Sequence, residues 1–263
     1  MTATGKQPYQ LRNTSIYLQP LQEILDPVTI ADLERVGVTI GHRALDVGAG
    51  AGSVAELLRA LVGPTGEVAA VDLDTTFLSQ SDALDVYQRD LRAERLPVEA
   101  GSLDVITARC ILAHLPTRAR LLDQMVTALH PGGRLVLGEI VYARTTVPHA
   151  PTAGDADLIV RVVHTILDVL AERGVDLHWG EKVPRLLLDA GLDEVRTRWV
   201  AQTWTGGSPG CRLYADNARQ LREQLRAADL TAGDLDRFND LMSDPTVVVR
   251  GYEFAATTAR KPH

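Results

Sequence analysis

Cysteine is scarce in this chain. Cys110 and Cys211 are too few and too far apart for a disulfide framework or a zinc site. The opening MTATGKQPYQLRNTS lacks the apolar core of a signal peptide, and no run approaches the roughly 20 apolar residues of a membrane span. Positive charge is short as well. With 27 Lys and Arg against 34 Asp and Glu the formal charge is -7, and no cluster of basic residues interleaves with aromatics, so a nucleic-acid backbone would be repelled. No compact His/Asp/Glu set has metal-ligand spacing. These absences predict a soluble cytoplasmic protein with no metal, membrane or nucleic-acid partner.

What is present is a change of hydrophobic period along 263 residues, enough for one principal domain and a small cap or arm. Residues 16–38 carry apolar positions at helical spacing, interrupted by Pro20 and Pro27, and predict two or more short helices. ALDV (44–47) reads as a short buried strand. Val54, Leu57, Leu58 and Leu61 then share one helical face. A second strand follows at 66–74, a weak helix at 75–85 and a strand at 86–91. A fourth strand (102–111), a helix (115–129) and a fifth, almost wholly apolar strand (130–141) come next. Apolar strands alternating with helices predict a parallel sheet covered on both faces.

Further on, helices are expected at 155–172 and 181–190, strands at 194–204 and 246–261, and a helical insertion at 216–243, where Thr231 and Asp234 have capping-box spacing. The expected fold is α/β: a doubly wound, mostly parallel seven-stranded sheet. Residues 1–40 would form an N-terminal helical arm and 41–263 the main domain, with helical insertions near 150–190 and 205–243 as a substrate lid.

The most specific segment is RALDVGAGAGSVAELLRAL (43–61), with Gly48, Gly50 and Gly52 between a strand and a helix. A glycine turn there lets backbone approach a ligand where a side chain would collide, although it also serves as a plain structural bend. The dinucleotide fingerprint G-x-G-x-x-G would need glycine where Ser53 stands, and the Gly-Lys-Ser/Thr ending of a phosphate loop is absent. Asp72 ends the next strand about 20 residues later, where a carboxylate can accept bonds from two ribose hydroxyls or simply cap a turn.

Four stretches, LDVGAGAGS (45–53), VAAVDLD (68–74), YQRDLRAERLPVEAGSLDVITARCILAHLP (87–116) and LHPGGRLVLGEI (129–140), together resemble the class I S-adenosylmethionine-dependent methyltransferases. The resemblance is to the branch acting on small molecules such as quinones and bacterial natural products, and it is strong over residues 40–145. It implies a Rossmann-like methyltransferase fold with S-adenosyl-L-methionine as cofactor. The first loop, with Asp46, Gly48, Ala49 and Gly50, would wrap its methionine part. Asp72 would hold the ribose, with Leu73 beside the adenine. Asp90 would meet the adenine amino group, with Leu91 near the ring. Arg109 would lend backbone near the methionine moiety, and His114 would line the active-site entrance. In such a family the arm, with Tyr17 and Gln19, closes over the cofactor. The segment after Asp74 is shorter than in a standard member, which loosens the alignment of Asp90.

The acceptor is a small molecule on this reading, because the PPY element of adenine and protein-glutamine methyltransferases is missing from ARCILAHLP. A hydroxyl acceptor benefits from a base within hydrogen-bond reach, whereas for an activated carbon orientation alone can suffice. Candidate catalytic bases are His149, His164 and His178, the last beside Trp179; each is equally compatible with a surface or core position. Trp204, Cys211 and Tyr214 are further pocket candidates. Leu221, Leu225, Leu235 and Leu241 need an apolar partner, supplied within the chain or by a second copy, so monomer and homodimer both remain. Two rival functions share the loop: a cofactor-binding protein or cyclase that moves no methyl, and a nicotinamide oxidoreductase.

Overall fold

Burial on both faces decides the centre of the molecule. In β1 (Arg43–Val47) every residue after Arg43 is buried, and the strand pairs in parallel with β2 (Glu67–Asp72) on one side and β4 (Leu103–Arg109) on the other. The computed structural model describes residues 15–78, 84–142 and 145–263, with side chains from Leu18 onward. Before β1 runs α1 (Ser15–Arg35), and α2 (Ser53–Val62) links β1 to β2. After β3 (Asp85–Gln88) and β4 come α3 (Arg118–Ala128), β5 (Leu129–Val141), α4 (Ala153–Glu172) and α5 (Trp179–Asp189). The chain continues through β6 (Asp193–Val200), β7 (Thr203–Thr205), α6 (Pro209–Gln220), α7 (Arg222–Ala227), α8 (Ala232–Ser243) and β8 (Val248–Arg250), and ends in β9 (Glu253–Arg260).

Seven strands form one sheet in the order β3-β2-β1-β4-β5-β9-β6, parallel from β3 to β5, with β9 antiparallel to β5 and β6. The expected mostly parallel, doubly wound sheet is therefore the observed one. Strand order turns outward in both directions from β1 and β4, so the loops leaving their carboxyl ends separate and open a crevice there. Among the described residues no helix is long and apolar enough to cross a membrane.

Three local expectations are corrected. First, α1 is one continuous helix that contains both Pro20 and Pro27. A proline removes one intrahelical bond, and tertiary contacts outweigh that loss here: Leu25, Val28 and Leu33 are buried, and Asp32 is bridged by Arg35 and Arg198. Second, residues 75–78 form a turn instead of the start of a helix, and 79–83 lie outside the described residues. Third, the strands expected at 194–204 and 246–261 are each broken in two. The end of the first and the start of the second pair with one another as the β7–β8 ribbon, and Gly251, where the chain bends into β9, donates its N–H to the Gln202 carbonyl at 2.9 Å. The capping box at Thr231 and Asp234 is present, with side chain and backbone bonds reciprocated.

Candidate active site

The crevice at the ends of β1 and β4 holds a cavity of about 550 Å3. Its floor is the glycine loop. Gly48 has a φ of 74°, and a Cβ there would lie 2.7 Å from the Ile111 side chain, so this loop and the one leaving β4 pack backbone against side chain. Backbone bonds from Gly48 and Ala49 to the Val71 carbonyl (2.8 and 3.2 Å) hold the loop against the end of β2. Asp72 completes the fixing: its carboxylate accepts the N–H of Gly50 at 2.8 Å and of Asp74 at 3.0 Å, tying the first loop to the second.

Every cofactor residue expected from the sequence, Tyr17 apart, lines this one cavity: Asp46, Gly48, Ala49, Gly50, Asp72, Leu73, Asp90, Leu91, Arg109 and His114. The side chain of Tyr17 lies outside the described residues. Gln19 points to solvent, and α1 reaches the cavity through Leu18, Leu21 and Gln22 instead. These three were not singled out in the sequence because their helical spacing is that of any packed helix.

Charge in the cavity is already paired. Asp90 holds Arg92 in a two-pronged bond (2.7 and 2.8 Å), and the guanidinium keeps its carboxyl below the usual carboxylate range. Arg89 lies 3.5 Å from Glu94. Arg109 donates to Asp26 at 2.7 Å, Thr29 at 3.1 Å and Ser53 at 2.9 Å, and the Ser53 hydroxyl donates to Asp26 at 3.0 Å. The guanidinium thus fastens α1 to the first turn of α2. Asp46 is the exception. Burial pushes its pKa up to about 6, against the Thr107 hydroxyl and the Arg109 charge, which favour the ionised form. Its Oδ2 has no hydrogen-bond partner of ordinary geometry among the described residues.

The loop after β4 forms the opposite wall. Cys110 takes a left-handed φ of 54°, donates its N–H to the Gly138 carbonyl at 2.8 Å, and has its thiol pushed up to about 12 by burial and the nearby Glu139. Glu139, itself pushed up to about 8 by burial, accepts the Leu112 N–H at 2.9 Å and so anchors the single turn Leu112–His114. The carbonyls of that turn accept bonds from Arg118. His114 is half-buried and neutral, its pKa pushed down to about 4 by desolvation and by Arg118.

Among the described histidines, His114 is the one that lines the cavity. The three expected catalytic histidines do not come together there. His178 is an exposed residue preceding α5, paired with Glu181 at 3.2 Å; His149 is exposed and bonded to the Thr246 carbonyl at 2.8 Å; His164 sits half-buried on α4. Trp179 is buried under the Arg118 guanidinium, 5.7 Å away, and is not part of the cavity lining. Trp204 and Tyr214 meet edge to face at 5.1 Å, with Cys211 buried close by in sequence; Trp204 lines a separate narrow slot. Leu221, Leu225, Leu235 and Leu241 are buried within this chain.

Residues 45–137 match the family described as Methyltransferase domain. Among curated proteins, the chain is 32% identical over 182 residues to Methyltransferase GfsG of Streptomyces halstedii, covering 67% of this chain and 62% of that protein. It is 32% identical over 115 residues to the ubiquinone/menaquinone biosynthesis C-methyltransferase UbiE of Ectopseudomonas mendocina, 41% of this chain and 45% of that one. The chain spans about half the length of the curated relatives it matches. Among solved structures, phosphoethanolamine N-methyltransferase 2 of Haemonchus contortus, in complex with phosphomonomethylethanolamine and S-adenosylhomocysteine, superposes with a TM-score of 0.58 at 17% identity, over 96% of this chain and 58% of that one. At that identity the likeness speaks for the fold.

Proposed function

The chain belongs to the class I S-adenosylmethionine-dependent methyltransferases, and on that premise we propose that it moves a methyl group from S-adenosylmethionine to an oxygen or an activated carbon of an uncharged small molecule. The observation that carries the reading is the convergence of the glycine loop, Asp72, Asp90 and the β4 loop on a single cavity. The residues fit the cofactor. A side chain at Gly48 would collide with the Ile111 wall, and Asp46 offers a buried oxygen with no partner of ordinary geometry among the described residues.

When bound, S-adenosylmethionine supplies an electrophilic methyl on a positively charged sulfur. Gly48, Ala49, Gly50 and Asp46 would hold its methionine part, and Asp72 the ribose. Leu73 and Leu91 would flank the adenine, with Asp90 at its amino edge. Arg109 would act through the helix it fastens, keeping Leu18, Leu21 and Gln22 over the cavity and water out. With α1 belonging to the arm of residues 1–40, the insertions near 150–190 and 205–243 would complete the lid.

His114 takes the place of the three histidines expected from the sequence. Its neutral imidazole would accept the hydrogen bond of a hydroxyl acceptor. All three arginines lining the cavity are paired with carboxylates, which supports an acceptor without phosphate, unlike the phosphomonomethylethanolamine bound by the Haemonchus contortus protein. The likeness to UbiE, a C-methyltransferase of ubiquinone/menaquinone biosynthesis, supports a quinone-like acceptor, and a bacterial natural product of similar chemistry would suit the same cavity. Calorimetric titration with S-adenosylmethionine, S-adenosylhomocysteine and NAD tests the reading. Binding of the two sulfur nucleosides, weakened in Asp72→Ala, is expected; binding of NAD alone would refute it. Transfer of a labelled methyl to a quinol separates the enzyme from a protein that merely holds the cofactor.

A further inference from the structure

We propose that the acceptor is anchored through a second oxygen atom, remote from the methylated position, that takes a hydrogen bond from the indole N–H of Trp204. This rests on the methyl-transfer reading above.

Trp204, the middle residue of β7, is buried at 6% exposure, yet its Nε1 has no hydrogen-bond partner among the described residues. Buried donors are almost always satisfied, and an orphan is costly to keep. The indole is not loosely placed. Gly210 and Gly251 lie so close against it that a Cβ at either would overlap the ring, and Tyr214 and Tyr252 meet it edge to face at 5.1 and 6.2 Å. Packing therefore sets the direction of the N–H before any ligand arrives.

Trp204 walls a slot of about 20 Å3 together with Leu21, Ile24, Ile140, Tyr252 and Phe254. A void of that size admits one small group such as a water or a single oxygen substituent, and no ring. Its walls are mostly apolar, and the one carboxylate among them, Glu253, is paired with Arg250. A phosphate or carboxylate would be left uncompensated there, whereas a carbonyl, hydroxyl or ether oxygen is matched by an indole N–H. Leu21 is the residue common to the walls of this slot and of the cofactor cavity. The slot and the cavity are thus adjacent across Leu21, and movement of that side chain would let an acceptor in the wide cavity extend an oxygen toward Trp204. The chemical class that fits is an uncharged, largely apolar molecule with two separated oxygens, one at the methyl-transfer position and one at Trp204.

The test compares naphthol with dihydroxynaphthalene, titrated calorimetrically into full-length protein saturated with S-adenosylhomocysteine. In the wild type the second hydroxyl is expected to tighten binding about fivefold, the effect of one added hydrogen bond. Trp204→Phe keeps an aromatic wall and removes the donor, so the two probes should bind it equally. Ile24→Phe, which fills the slot and leaves Trp204 in place, should have the same effect and serves if the tryptophan variant does not fold. Failure of both probes to bind, equal binding by the wild type, or a gain that persists in the variants would overturn the subsite. Failure of S-adenosylhomocysteine itself to bind would instead overturn the reading beneath it.

Discussion

The two ends of the cavity, which the proposed function assigns to the nucleoside and to the reacting methyl, are built by different means. At the nucleoside end the walls are loops leaving β1, β2 and β3, held by main-chain bonds and by one carboxylate, Asp72, that accepts N–H groups from two of them. At the methyl end the walls are side chains from α1 and from the loop after β4, held by the Arg109, Asp26, Ser53 and Thr29 network. The first end is tied by bonds such as that from Gly50 to Asp72, residues 22 apart. The second joins residues 83 apart, so a single lost side chain can loosen it without unmaking the first.

The sharpest way to break that contrast is Gly48→Val, which places a branched side chain on the Ile111 wall at a positive φ and so injures both ends together. A loss of about 4 kcal/mol in stability is expected from overpacking plus backbone strain, with S-adenosylhomocysteine binding abolished. Urea denaturation and calorimetry read the two effects.

Asp46 stands between the ends, its ionised form favoured by Arg109 and opposed by Asp72. Because burial raises its pKa from 3.8 to about 6, the folded state binds its proton more tightly than the unfolded chain does. Wild-type stability should therefore fall relative to Asp46→Asn as pH rises from about 4 to about 6. The gap should reach roughly 3 kcal/mol and stay constant above that. Denaturation curves across this range that run parallel for the two proteins would contradict the assignment.

Asp72→Ala removes the acceptor of two loop N–H groups, and a cost of about 2 kcal/mol in S-adenosylhomocysteine affinity is expected, roughly thirtyfold. The smallest effect is predicted for Asp26→Asn, which keeps the shape of the methyl-end network and removes its charge. Stability should drop by about 1 kcal/mol. Amide exchange should quicken in α1 while nucleoside affinity changes less than about threefold. Equal loss at both ends would mean that they are mechanically one unit.

The same division explains what could be read in advance. Asp46, Gly48, Gly50, Asp72 and Leu73 were legible because their task is local: a strand, a turn free of side chains and an acid at the next strand end. His114 was legible as a wall residue and not as the cavity's imidazole, because three other histidines in His149, His164 and His178 have equal chemistry on paper. Their exposure and partners, a Thr246 carbonyl for one and Glu181 for another, depend on which faces of distant elements meet.

By itself the sequence determined the alternation of strands and helices from β1 to β5, the mostly parallel sheet, and the glycine turn and strand-end acid that line one part of the cavity. Each of these follows from the period of apolar residues or from glycine at a strand end, and both act over a few residues. Only the tertiary structure decided that α1 runs unbroken through two prolines, that Leu18, Leu21 and Gln22 line the cavity, and that Trp204 keeps a buried N–H with no partner among the described residues. Those outcomes depend on contacts between segments far apart along the chain, whose energy exceeds local preference and leaves no mark at the positions themselves.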